Sequence, residues 1–336
     1  MRNLLLKLCR REDLTRDEAR DAFMQIMSGS ATEAQIGGLL VGLAAKGTTV
    51  DELVGAAMVM REKSLAIACG SSDIIIDTCG TGGDVKGTFN ISTAAALISA
   101  AAGVKVVKHG NRSASSKSGS ADVLEKLGVK LEVEPDTMHN CLSEANLCFA
   151  FARNHHPAMK HVAAARSSLG IATIFNLLGP LTNPARAKHQ LLGVFSPELT
   201  DRLAQVLRDL GSTRAWVVHA EDGLDELSTL GPTRISELHN GHIRTTTLDP
   251  RALGLPYARL SDLQVMTAEQ SAEVLRSIFA GEKGPCRDIA ILNAAAALTL
   301  AGKARDLPHA LILAAETIDD GLVEKTLQTL VQLTNA

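Results

Sequence analysis

Asp77-Thr78-Cys79-Gly80-Thr81-Gly82-Gly83-Asp84 follows directly on Ile74-Ile75-Ile76 and leads through Lys86, Gly87, Thr88, Phe89, Asn90 and Ile91 into an alanine-rich stretch that opens with Ser92 and Thr93. A short apolar run, a glycine loop, a helix over 92–102 and a second apolar run over 104–107 make a βαβ unit, and with it an α/β body. Glycines at that turn let the backbone come close to a ligand, and the free N–H groups of the following helix favour an anion such as phosphate. The loop lacks the Gly-x-x-x-x-Gly-Lys-Ser/Thr spacing of a Walker loop. It also fails the dinucleotide fingerprint, because the sixth position from Gly80 is Val85. A phosphorylated substrate fits it, and a nucleotide cofactor is not indicated. The competing reading is a tight strand-to-helix turn with no ligand.

Beyond the second run lie Lys108-His109-Gly110-Asn111-Arg112 and then Ser113, Ser115, Ser116, Lys117, Ser118 and Ser120. In open α/β sheets ligands bind outside the carboxyl ends of the strands, so this segment and the glycine loop face one crevice. Backbone amides with Lys108 and Arg112 would suit a polyanion there, against the plainer reading of a solvated loop. Glu221-Asp222-Gly223-Leu224-Asp225-Glu226 follows a strand near His219, and its carboxylates suit Mg2+ unless they are only caps or solvated charges. His155, His156 and His161 have Pro157 between them and no partner to complete a metal shell, so packing is the preferred reading. No Gly-x-Ser-x-Gly elbow or Cys/His arrangement offers a covalent nucleophile.

Upstream, three Thr-x-x-Glu/Gln capping boxes, Thr15 with Glu18, Thr32 with Gln35 and Thr49 with Glu52, predict three short helices between 14 and about 63. Gly29 and Gly47 sit where two of them stop. Downstream, 147–151, 191–195 and 215–219 read as strands and 197–210 as a helix. Asn240-Gly241 between alternating runs over 233–248 reads as a two-residue hairpin, and helices return from Thr267. A parallel or mixed sheet flanked by helices follows.

The chain has 336 residues, 34 Lys+Arg against 37 Asp+Glu and a net charge of -3, which argues against nucleic acid or an anionic membrane as a bulk partner. Its 6 cysteines form no Cys-x-x-Cys pair and read as packing thiols in a reducing compartment. The start reaches Arg10-Arg11-Glu12-Asp13 too soon for a secretory signal, and the longest apolar run, 94–104, is too short to span a bilayer. A cytoplasmic protein is expected.

Gly80-Thr81-Gly82-Gly83-Asp84, Thr88-Phe89-Asn90-Ile91-Ser92-Thr93, Lys108-His109-Gly110-Asn111-Arg112, His156-Pro157-Ala158, Gly179-Pro180-Leu181-Thr182-Asn183-Pro184 and Asp225-Glu226, in that order, resemble the anthranilate phosphoribosyltransferase family of tryptophan biosynthesis. The resemblance covers nearly the whole chain. One departure is Val85, where the family often has another glycine. It implies a small N-terminal helical domain, 1–72, joined by a returning helical segment near 165–190. A large α/β domain, 73–336, would carry a central mixed, mostly parallel sheet flanked by helices, in the nucleoside phosphorylase and phosphoribosyltransferase manner. A homodimer through the helical domain is implied too.

By the same resemblance, Gly80, Gly83, Asp84, Thr88, Asn90, Ile91, Ser92, Thr93, Lys108, His109, Gly110, Asn111, Arg112, Ser113, Ala114, Ser115, Ser116 and Ser120 contact phosphoribosyl pyrophosphate. Ser92, Asp225 and Glu226 carry Mg2+, while Gly80, Asn111 and Arg166 receive anthranilate. Spacing alone would leave Arg166 as an exposed helix arginine. The implied reaction is attack of the anthranilate amine on the ribose anomeric carbon with loss of pyrophosphate. An aniline nitrogen is already a neutral nucleophile, so no obligatory general base is expected, His109 being the nearest motif residue able to take a proton. A pyrimidine nucleoside phosphorylase-like enzyme and a non-catalytic nucleic-acid-binding relative are the alternatives. The first lacks its own glycine motifs here, and the second would be basic and stripped of catalytic motifs.

Overall fold

A computed structural model describes residues 1–70, 73–112 and 118–336. Four helices come first: Arg2–Cys9, Arg16–Met27, Glu33–Lys46 and Val50–Lys63. Thr15, Thr32 and Thr49 each cap their helix from the N-terminus, and Glu18, Gln35 and Glu52 answer each cap from the third position. The first helix has no side-chain cap, which is why only three helices were expected. Helix Lys160–Leu169 returns to pack against Arg16–Met27 and Glu33–Lys46.

Among the described residues seven strands follow: β1 Ile75–Gly80, β2 Lys105–Gly110, β3 Leu147–Phe151, β4 His189–Gly193, β5 Arg214–Ala220, β6 Thr233–His239 and β7 His242–Leu248. They form one sheet in the order β3-β2-β1-β4-β5-β6-β7. The first five run parallel, and β6 and β7 add an antiparallel edge closed by Asn240 and Gly241, both at positive φ. Strand β1 runs further than the apolar pattern predicts. Asp77 and Thr78 are buried polar residues inside the sheet, where period and hydropathy give no signal. The same holds for β2, so Lys108 and His109 lie on a strand and not in a loop.

Two cores result. One face of the sheet packs under helices Ile91–Ala101, Pro285–Leu300, Leu307–Asp319 and Leu322–Asn335. The other packs Leu192, Val194, Ala215 and Val217 against helix Glu198–Asp209 and the helical domain. Alternation along β5 shows why one strand serves both: Trp216 and Val218 join the first core, Ala215 and Val217 the second.

Candidate active site

Strand order reverses at β1, which has β2 on one side and β4 on the other, so a crevice is expected beyond the carboxyl ends of β1 and β4. Gly80 and Gly193 stand opposite each other in register there. Across them lies Asp225: a Cβ on Gly193 would come 1.5 Å from the Asp225 carbonyl oxygen, and one on Gly80 would come 2.5 Å from its Oδ2. Only glycine at both strand ends admits the 225–226 segment. Asp225 Oδ2 accepts a hydrogen bond of 2.9 Å from the Gly82 amide, tying the glycine loop to that segment.

The loop itself has Gly82, Gly83 and Gly87 at positive φ, and Val85 too at φ 55, an uncommon conformation for a β-branched residue. Thr88 bridges to Gln264, and Val265 donates its amide to the Gly87 carbonyl. Asn90 is held by Ser271, whose hydroxyl accepts from the Asn90 amide at 3.0 Å and donates to Oδ1 at 2.7 Å. Ser271 was invisible to sequence reasoning, since an isolated serine in helix Ala268–Phe279 carries no motif. Ile91 buries its side chain and donates its amide to the Phe89 carbonyl. Thr93 is buried as well, and its hydroxyl has no partner among the described residues.

Lys108 is buried on β2, where Nζ donates to the Thr78 carbonyl at 2.5 Å and to Ser92 Oγ at 3.2 Å. Burial pulls its ammonium below the ordinary lysine range against the attraction of Asp77, Cys79 and Glu226. Asp225 and Glu226 are pushed well above the usual carboxylate range, first by burial. For Asp225 the next cause is Asp84; for Glu226 it is Asp225, with Lys108 opposing. Asp84, Asp225 and Glu226 crowd one corner, in which Asp225 is buried and the other two are half-buried, an arrangement that a divalent cation relieves. Among the described residues no group of three or more His, Cys, Asp or Glu side chains closes a metal cage by itself.

Behind this corner Asp77, fully buried, accepts from the His109 amide at 3.1 Å and from Asn183 Nδ2 at 2.8 Å. Burial pushes its carboxyl up to about 6. His109 Nδ1 lies 3.1 Å from the Gly179 carbonyl, so Nδ1 carries the proton and Nε2 accepts. The His156 Nε2 lies 3.2 Å away. Burial and the neighbouring histidines lower His109 to about 3 and His156 to about 4, so both rings are neutral near pH 7. His156 thus packs and hydrogen-bonds, in line with the packing reading of the histidines.

The Arg112 guanidinium is engaged within its own segment. It bonds Glu125 through both Nη1 and Nη2 and reaches Asp122, all on or beside helix Ser120–Lys126. Arg112 and Glu125 are thirteen residues apart, and only the turn of that helix brings them together. Ser120 crosses Gly110 closely, its Oγ 2.2 Å from where a Cβ on Gly110 would be. Asn111 is exposed, its Oδ1 accepting the Arg112 amide. Ser113, Ala114, Ser115 and Ser116 lie outside the described residues. Arg166 is half-buried, not exposed, with its guanidinium 5.2 Å over the Phe175 ring and no carboxylate paired to it among the described residues.

Residues 72–323 match the glycosyl transferase family a/b domain, and residues 2–64 match the helical bundle domain of the same family. Among curated relatives, anthranilate phosphoribosyltransferase of Methylobacterium nodulans is 49% identical over 332 residues, covering 99% of this chain and 98% of the relative. The chain belongs to the anthranilate phosphoribosyltransferase family. The family's enzyme from Rhodopseudomonas palustris strain BisB5 is 50% identical over 333 residues, 99% of this chain and 98% of that one. The crystal structure of the Thermus thermophilus family member superposes with a TM-score of 0.93 at 42% identity, covering 99% of both chains. The Saccharomyces cerevisiae member in complex with PRPP and Mg superposes at 0.90 with 27% identity, covering 99% of this chain and 97% of that one.

Proposed function

We propose that the chain transfers the phosphoribosyl group of phosphoribosyl pyrophosphate to the amine of anthranilate, releasing pyrophosphate, in tryptophan biosynthesis. The observation that carries the reading is the glycine pair at the ends of β1 and β4, which draws Asp225 and Glu226 over the loop beside the buried Lys108. Loss of pyrophosphate builds negative charge on the leaving group, and a fixed cation in a dry pocket stabilises that charge strongly. Lys108 supplies it, locked by the Thr78 carbonyl and the Ser92 hydroxyl so that no reorganisation is needed. Asp225, Glu226 and Ser92 would hold Mg2+, which when bound supplies further charge neutralisation at the pyrophosphate. The glycine loop fixes the phosphorylated sugar for in-line approach by the amine. Arg166, a fixed cation with a forked donor and no ion-pair partner among the described residues, receives the anthranilate carboxylate. His109 and His156 lie buried behind the carboxylate corner and are neutral near pH 7.

The domain boundary belongs near 72, with the returning helix Lys160–Leu169 counted in the helical unit it packs on. We place the enzyme in the cytoplasm as a homodimer through that unit. Leu6 and Val41, exposed on the neighbouring helices Arg2–Cys9 and Glu33–Lys46, offer the contact surface. Among the described residues no helix is long and apolar enough to cross a membrane. The direct test follows anthranilate fluorescence with the protein and phosphoribosyl pyrophosphate, with and without Mg2+. A decay that needs all three supports the reading, and no decay from folded protein overturns it.

A further inference from the structure

At the opposite ends of the strands that carry Gly80 and Gly193 the fold leaves a second concavity, a cleft of about 580 Å³. Arg20, Arg61 and Glu62 of the helical domain form one wall; Arg186 and Lys188, just before β4, and the turn 209–212, just before β5, form the other. Its two carboxylates are already neutralised. Glu62 pairs with Arg20 at 3.2 Å, and Asp209 pairs with Arg16 at 2.5 Å and Arg208 at 3.1 Å. Arg61, Arg186 and Lys188 have no carboxylate within ion-pair distance among the described residues.

Arg61 is held in place by carbonyls, not by charge. Nε donates to the Leu181 carbonyl at 2.7 Å and Nη1 to the Leu210 carbonyl at 3.1 Å, which orients the fork while leaving its charge uncompensated. Burial, with Arg186 adding repulsion, lowers this guanidinium to about 10. Arg214 adds positive charge behind the wall, beside a His189 ring that burial and the neighbouring cations hold below its ordinary value. His189 stands in register with Arg214 at the start of β4 and β5, and both His189 Nδ1 and Arg214 Nε are buried with no hydrogen-bond partner among the described residues. Arg186 adopts φ 52, a left-handed conformation rare for a residue with a side chain, held by its amide to the Asn183 carbonyl at 2.9 Å.

A cleft that gathers three uncompensated cations from two domains, one of them rigidly oriented, lacks its anion. We propose that it is a second ligand site, separate from the substrate crevice, that takes a small molecule bearing a phosphoryl group. A phosphoryl dianion matches the set best, because its oxygens accept from two arginine forks and an ammonium at once, and a single carboxylate leaves one of the three unmatched. The volume suits a small ligand and not a polymer. The inference rests on the charge inventory of the cleft and holds whatever reaction the crevice performs.

The test titrates inorganic phosphate by calorimetry into the full chain and into an Arg186→Ala, Lys188→Ala double variant. Both side chains are exposed, so the variant folds, which its circular dichroism and melting temperature check. Phosphate also enters the crevice, and the variant reports that class of site alone. The wild-type chain should take up one further equivalent, and the variant should lose it or bind it roughly tenfold more weakly or worse. A Lys188→Glu variant, which reverses one charge without touching the Arg186 backbone, should weaken the same equivalent. Equal stoichiometry and affinity in wild type and both variants would overturn the proposal and leave the cleft as a solvated interdomain seam.

Discussion

Gly193→Ala is the sharpest perturbation this architecture offers. The added Cβ would stand 1.5 Å from the Asp225 carbonyl oxygen, and real Cβ atoms are essentially never found nearer than 3.0 Å to such an atom. The obstacle is backbone, so rotamer change gives no relief, and the 225–226 segment must retreat by about 1.5 Å. Misplacement of ~1 Å in a preorganised site costs ~100-fold in rate, or ~2.7 kcal/mol of transition-state stabilisation. Overpacking adds a stability cost of ~1–3 kcal/mol, too little to unfold most domains of this size. Expected, then, is a folded protein whose kcat/KM for the phosphoribosyl donor falls at least ~100-fold, with a raised Mg2+ requirement. Steady-state kinetics by anthranilate fluorescence at several Mg2+ concentrations, with circular dichroism as the folding check, makes the measurement. Gly37→Ala is the control, since a Cβ there meets nothing within 4 Å and the position is helical. Wild-type kinetics and Mg2+ dependence in Gly193→Ala would refute the idea that this close approach builds the crevice.

Val85→Gly should raise stability by ~0.5–1 kcal/mol, because relief of a left-handed β-branched residue, ~1–2 kcal/mol, exceeds the entropy glycine adds to the unfolded chain; a lower melting temperature would contradict the strain. His156 is neutral in the fold down to about 4, while the unfolded ring protonates near its ordinary value of 6.5. Its contribution is therefore complete above pH 6.5 and declines as pH falls towards 4, by up to ~1.4 kcal/mol per pH unit. Asp77, Asp225 and Glu226, raised by burial, titrate in the opposite sense, so urea midpoints must be compared between the chain and His156→Phe. A difference that stays flat from about pH 7.5 to about 4.5 would show that His156 takes up its proton in the fold at the same pH as in the unfolded chain. Arg166→Ala should raise KM for anthranilate ~10–100-fold and leave that for the donor nearly unchanged, as loss of one charge-assisted carboxylate contact demands; equal effects on both substrates would reassign it.

Where function is carried by short local patterns, the chain was readable unaided. The capping boxes at Thr15, Thr32 and Thr49 and the Asn240-Gly241 turn each satisfy their hydrogen bonds or dihedrals within a few residues, so the sequence alone determined them. The extent of β1 and β2 was not readable, because buried Asp77 and Lys108 have their partners on other strands and look like loop residues in the linear pattern. The same limit governs the site. That Gly193 faces Gly80 beneath Asp225, that Ser271 holds Asn90, that His156 meets His109 and that Arg112 turns to Glu125 are consequences of sheet order and helix placement. The sequence supplied the residue types that phosphoribosyl chemistry needs. Tertiary structure alone chose which buried charges meet and which stay unmatched, since Coulomb and hydrogen-bond energies depend on distances that only the closed sheet sets.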